Sequence, residues 1–205
     1  MLTQGISALT MLIIVFILVD FILETILDTL NARTWELPIP KELDGIYDEE
    51  KYNKARQYHQ SNQRLSTIST VLSTILIIAF LWWKGFAIIH LSIAAITSSP
   101  ILQALLFFGI FAIASDIMGL PFELYGIFVI EQKFGFNKMT WKTYIADKIK
   151  GYILGALIGG ILLSLFVWFY TITGTLFWIY AWVVFSVFTI FFAMFYTSII
   201  VPIFN

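Results

Sequence analysis

The chain contains no cysteine, which excludes disulfides and thiolate metal sites. Charge is scarce too: Asp, Glu, Lys and Arg make up 12% of the 205 residues, against about 25% in an ordinary soluble domain. The formal net charge is -1, so nothing suggests nucleic acid as a partner, since that would demand clustered basic surface. Histidine is limited to His59 and His90, far apart in sequence. No basic stretch precedes the first apolar run, which therefore reads as a retained helix and not as a cleaved signal peptide.

What the chain has is apolar length: 60% of its residues are hydrophobic and 18% aromatic. Crossing the hydrocarbon core takes about 20 helical residues. Five runs reach that length, at residues 6–29, 66–83, 101–120, 149–172 and 176–201. The run at 86–97 is too short and reads as an interfacial or re-entrant piece. The expected fold is all-α, a polytopic membrane protein with five transmembrane helices and two long cytoplasmic loops. Basic residues support the count. Arg33, Lys41, Lys51, Lys54, Arg56 and Arg64 follow the first span, and Lys133, Lys138, Lys142, Lys148 and Lys150 follow the third, leaving Lys84 alone on the other side. Basic loops stay inside, so the N-terminus is expected outside and Asn205 in the cytoplasm. A sixth span at 86–97 would put the two basic loops on opposite sides.

The loops have structure of their own. Asp48 suits an N-cap, with Glu49 and Glu50 in the first turn where they complement the helix dipole. Tyr47, Lys51, Lys54, Ala55 and Tyr58 recur at helical spacing, which predicts a helix running up into the second span. Before it, residues 37–43 (LPIPKEL) are set extended by their prolines. Residues 119–140 (GLPFELYGIFVIEQKFGFNKMT) begin at a membrane boundary, yet keep apolar side chains at nearly every third or fourth position. That pattern suits a helix that leaves the bilayer and continues against other protein, broken at Gly135 and Asn137.

A few charges lie within the spans. Asp20, Glu24 and Asp28 fall at i, i+4 and i+8, one acidic stripe on a helix. A carboxylate deep in a bilayer costs about 2.5–3.5 kcal/mol, so the stripe must face water, a basic partner or another carboxyl. Asp28 also lies near the boundary, beside Asn31 and Arg33, and Glu24 can snorkel toward it. In the third span Asp116, Gly119 and Glu123 share a side, and Pro121 removes a backbone donor where the helix can bend. Gly151, Gly155 and Gly159 recur every four residues, spacing that lets another helix pack closely. No Lys-Ser or Lys-Thr follows to make them a phosphate loop. Trp178, Tyr180 and Trp182 suit an interfacial aromatic belt.

The wording of residues 119–140 closely resembles the type I CAAX prenyl proteases, a family of zinc metallopeptidases. Leu120, Pro121, Phe122, Tyr125, Phe128, Val129, Ile130, Glu131, Phe134, Gly135, Phe136, Asn137 and Thr140 fit a segment of that family's N-terminal membrane region. Pro40, Glu42, Leu43, Tyr47, Asp48, Glu50 and Tyr52 fit a second, Glu24-Thr25 the end of its first span, and residues 200–205 (IVPIFN) the stretch after its fifth. Glu123 stands where a small polar residue is common. The resemblance implies five spans around a water-filled chamber lined by Asp20, Glu24, Asp116 and Glu123. It also implies that Glu131, Phe134, Phe136 and Asn137 contact the catalytic part, because so apolar a loop would not be left bare. The bilayer, that catalytic region and a prenylated or membrane-associated peptide are the implied partners.

The family's zinc needs His-Glu-x-x-His, two imidazoles one helical turn apart and a Glu to activate water. His59 precedes Gln60 and His90 precedes Leu91, so each reads as a loop or interfacial histidine, and no cofactor is expected in this chain. The resemblance covers nearly all of these residues but only the first part of the family enzyme, and the chain alone is expected to be inactive. A stand-alone membrane scaffold or partner subunit is the alternative. A third reading, an aspartyl intramembrane protease, would have Asp20 and Asp116 share a proton; no Gly-x-Gly-Asp signature accompanies either.

Overall fold

The computed structural model describes residues 7–34 and 48–204, and every regular element among them is helical. The expected extended stretch at 37–43, the positions Pro40, Glu42, Leu43 and Tyr47, and Asn205 lie outside the described residues. Contacts divide the chain into two compact units. One holds the chain up to Ile89 with Ala114–Lys138; the other holds His90–Ile113 and the chain from Met139.

In the first unit, α1 (Ala8–Thr34) covers the first apolar run. Ser7 starts it, its hydroxyl accepting the Thr10 N–H at 3.1 Å. Helix α2 (Glu49–Trp82) is 34 residues long, and the Asp48 carboxylate caps it by accepting the Glu50 N–H at 2.9 Å. The helix expected from the charged loop thus runs without interruption into the second apolar run. At about 1.5 Å per residue α2 is about 51 Å long, well over the ~30 Å of a hydrocarbon core, so its polar half protrudes. It ends at Trp82, and Lys84, with φ 57°, turns the chain. The short apolar run that follows is α3 (Gly85–Ile96), whose 12 residues are about 18 Å long, too short to cross.

Helix α4 (Pro100–Tyr125) passes through Pro121, then continues as a π turn (Gly126–Glu131) and α5 (Gln132–Phe134). Helical structure therefore extends unbroken over Pro100–Phe134. It stops where expected. Gly135 takes φ 78°, a left-handed conformation that glycine adopts without a Cβ clash, and the Glu131 carbonyl accepts the N–H groups of Phe136 and Asn137 at 2.8 and 3.2 Å. Of the stretch between the third and fourth spans, only residues 135–140 are non-helical.

The second unit carries α6 (Trp141–Leu154), capped by the Thr140 hydroxyl accepting the Thr143 N–H at 3.2 Å. A π turn (Gly155–Gly159) and α7 (Gly160–Thr173) follow. The chain then reverses. Gly174 has φ 53° and ψ -117°, a 3-10 turn (Gly174–Leu176) follows, and α8 (Phe177–Ile199) runs back toward the short α9 (Val201–Phe204). The Phe169 and Tyr180 rings stack 5.7 Å apart, whereas eleven residues of straight helix would separate them by about 16 Å. Far down the same hairpin, the Lys150 ammonium lies 5.7 Å from the Phe204 ring.

Among the described residues, four helical stretches are long and apolar enough to cross a membrane: Ala8–Thr34, Glu49–Trp82, Pro100–Phe134 and the 59 residues of Trp141–Ile199. The last contains the reversal at Gly174. The glycine stripe lies open among the described residues. A Cβ at Gly151, Gly155 or Gly159 would meet nothing within 4 Å, while one at Gly160 would lie 3.9 Å from Leu105 Cδ2. The π turn takes Gly155–Gly159 out of the 3.6-residue register on which the stripe was counted. Among the described residues the buried hydrophobic side chains are Ile14, Ile93, Ile130, Phe134 and Tyr144, while Trp178 and Trp182 are each 68% exposed. Apolar surface this continuous belongs in lipid, not water.

Candidate functional site

Within the first unit, α1 and α2 form a small polar cleft of about 70 Å³ lined by Phe21, Glu24, Thr25, Asp28, Thr29, Gln63, Thr67 and Thr70. Gln63 Nε2 donates to the Asp28 carbonyl at 2.8 Å and ties the helices together. The threonine hydroxyls donate into their own helices: Thr25 to the Phe21 carbonyl at 2.7 Å, Thr29 to Thr25 at 2.7 Å and Thr67 to Gln63 at 2.9 Å. Their donors are spent, and two carboxylates that only accept stand beside them. Such a cleft suits water, and its size admits a few molecules. It takes Glu24 and Asp28 from the acidic stripe; Asp20, Asp116 and Glu123 are not in its lining. Asp116 is half-buried in α4, Glu123 is exposed on it, and both are partnered. The threonines were readable as a companion stripe: Thr25 and Thr29 sit one residue after Glu24 and Asp28, and Thr67 and Thr70 share a face of α2.

A second cluster joins the protruding ends of α2 and the α4–α5 helix. The Tyr58 ring meets Phe134 edge-on at 5.5 Å and Phe136 at 4.9 Å. Lys54, one turn earlier on α2, holds its ammonium 5.6 Å from the Phe136 centroid, and Lys133 lies 5.4 Å from that of Phe134. The left-handed turn at Gly135 leaves both phenylalanines edge-on against Tyr58. Phe134 is buried and Phe136 is 52% exposed; Glu131 and Asn137 are half-buried. Part of what covers this apolar loop is therefore the chain's own Tyr58 and Lys54. Their i, i+4 spacing was visible in the sequence, though only as evidence of a helix. Because the two ends touch, both lie on the same side of any bilayer that holds the chain.

Zinc hydrolysis asks for three protein ligands and an open position. His59 lies inside α2, in the polar half that precedes the second apolar run, and His90 inside α3. Among the described residues, no group of three or more His, Asp or Glu is placed to hold a metal ion. The donors present do not fit a catalytic zinc.

Residues 28–205 match the family model described as CAAX prenyl protease N-terminal, five membrane helices. A CAAX prenyl protease 1 homolog of Oryza sativa subsp. japonica is 30% identical over 201 residues, covering 94% of this chain and 47% of the relative. CAAX prenyl protease 1 of Saccharomyces cerevisiae is 31% identical over 141 residues, covering 64% of this chain and 31% of the relative. The crystal structure of S. mikatae Ste24p is similar with a TM-score of 0.88 at 28% identity, covering 98% of this chain and 49% of that one. The chain thus spans less than half the length of these relatives. With its long apolar helices and the match over residues 28–205, the chain is an integral membrane protein that belongs to the CAAX prenyl protease N-terminal family.

Proposed function

We propose that these residues build the membrane wall and the cytoplasmic brace of a CAAX prenyl protease-like zinc metalloendopeptidase. The observation that carries the reading is the likeness to Ste24p over 98% of the chain at a TM-score of 0.88. Asp20, Glu24, Asp116 and Glu123 then line a hydrated chamber. The polar cleft at Glu24 supports this, since a carboxylate among threonines is placed for water and not for lipid. Counting the Gly174 hairpin as two crossings gives the five membrane helices of the family description. The protruding ends are rich in Lys and Arg, which assigns them to the cytoplasm, the N-terminus to the outside and the C-terminus to the cytoplasmic face. Zinc, its histidines and the water-activating Glu would come from a part of the enzyme not among these residues, and the substrate would be a prenylated or membrane-associated protein. Glu131, Phe134, Phe136 and Asn137 brace that part, with Phe136 offering the outward surface.

Co-expression with a fragment of a relative that carries His-Glu-x-x-His tests the reading. Cleavage of a prenylated peptide should appear with both pieces and with neither alone, and Phe136→Ala should weaken their association. The chain alone should hold no zinc after metal loading. One tightly held zinc per chain, lost on changing His59 or His90, would overturn that part. Failure of any such fragment to associate would favour a stand-alone membrane scaffold or partner subunit.

A further inference from the structure

A groove of about 530 Å³ runs between α2 and the α4–α5 helix, within the first unit and apart from the polar cleft. One wall is the α2 face that carries Arg64, Leu65 and Ile68 at i, i+1 and i+4. The other climbs from Phe122 through Tyr125 to Lys133. The walls meet where Leu65 packs on Gly126: a Cβ at Gly126 would sit 3.6 Å from Leu65 Cδ2.

The groove is sorted along its length. Arg64 lies one turn from Ile68 toward the polar half of α2, and Lys133 lies three turns beyond Pro121, about 18 Å along its helix. Both helices leave their apolar runs in that direction, so the apolar walls lead back toward the bilayer from the cations, Arg64 beside the Leu65–Gly126 contact and Lys133 about 10 Å farther out along its helix. Among the described residues that line the groove there is no carboxylate. The apolar walls are open, with Ile68 61% and Tyr125 50% exposed. A peptide strand would find few partners here: the Tyr125 hydroxyl, and the Ser61 hydroxyl, which donates to the Gln57 carbonyl at 2.8 Å and is left to accept. A neutral apolar ligand would leave two cations unused.

We propose that this groove binds one anionic phospholipid, its phosphate held between Arg64 and Lys133 and an acyl chain laid over Ile68, Phe122 and Tyr125 toward the bilayer. The guanidinium offers a planar fork matched to phosphate oxygens, and the ammonium adds a point charge. The proposal needs only that the chain sits in a membrane, so it stands or falls separately from the enzyme reading.

Native mass spectrometry of the chain, released from nanodiscs of equal parts phosphatidylglycerol and phosphatidylcholine, counts the lipids it retains. One phosphatidylglycerol per chain should be kept over phosphatidylcholine by about thirtyfold, roughly a factor of five for each juxtamembrane cation. Arg64→Gln with Lys133→Gln should reduce the preference to near unity, and Lys138→Gln with Lys142→Gln should leave it. A diazirine-bearing phosphatidylglycerol should label Tyr125 or Val129, a readout independent of the charge variants. Equal retention of the two lipids, an unchanged preference in the Arg64/Lys133 variant, or labelling confined to α8 would overturn the proposal. So would displacement by millimolar glycerol 3-phosphate, which would mean an anion site with no use for a tail, or tighter retention of an uncharged farnesylated peptide ester.

Discussion

Removing the Phe134 ring should loosen the turn after α5 while leaving α1 untouched. Phe134 is 4% exposed and meets Tyr58 edge-on at 5.5 Å. Phe→Ala at a buried site costs about 3–5 kcal/mol, and the lower end applies because the half-exposed Phe136 beside it can collapse into the gap. About 3 kcal/mol corresponds to roughly a 150-fold change in an opening equilibrium. The reporters are the amides of Phe136 and Asn137, both bonded to the Glu131 carbonyl. Hydrogen exchange followed by mass spectrometry in detergent should show their protection fall by about that factor. Phe136 is 52% exposed and also loses Lys54; Phe136→Ala should cost about 1.5–2 kcal/mol, or roughly 10- to 30-fold. Lys54→Gln removes only the cation and should give about 2- to 5-fold. A double-mutant cycle between Tyr58→Ala and Phe134→Ala should return a coupling of about 0.5–1.5 kcal/mol. Equal effects of the two phenylalanine variants, or less than about threefold from Phe134→Ala, would refute the reasoning, because burial is what separates them.

Cysteines at Lys54 and Lys138 should react with an impermeant maleimide from the same face of a sealed vesicle and one at Thr173 from the other; labelling of 54 and 138 from opposite faces would defeat the five-crossing count. Cysteines at Asp20 and Glu24 should be reached by water-soluble thiol reagents and one at Leu18 should not, and equal protection of all three would speak against a hydrated chamber. Gly85→Ala would set a Cβ 2.4 Å from the Phe80 ring, which packs edge-on against Phe86 at 4.9 Å. It should cost about 1–3 kcal/mol by overpacking, seen as a lower unfolding temperature in detergent, and far less in a Phe80→Leu background.

Where the sequence spoke through one residue's chemistry, it could be read. Asp48 before two glutamates marked the start of α2, and Gly135 marked the end of α5, because capping and left-handed turns demand those residue types. The long apolar runs were legible as helices because hydrocarbon thickness sets their length. Two kinds of information were not. The start of α6 at Trp141, eight residues before the fourth apolar run, depends on the Thr140 cap and on a polar first turn that hydropathy ignores. The π turns shift hydrogen bonds by one residue, a change that hydropathy and four-residue spacing do not register. At the aromatic cluster the sequence announced that something covers Phe134. It could not say that the cover is Tyr58, 76 residues earlier, because that pairing depends on how two long helices lean together.

Each hydrogen bond in the π turn Gly126–Glu131 reaches back five residues where the surrounding helix reaches back four. The turn therefore behaves as a single inserted residue whose strain is absorbed on the spot. Deleting Ile127 should hand back an ordinary α-helix, with the stretches before and after keeping their faces. Relatives can then differ in length by one residue within 126–131 and still present Phe134 to Tyr58. The same one-residue change inside Gln132–Phe134 would swing that ring by about 100° and leave Tyr58 without its buried partner.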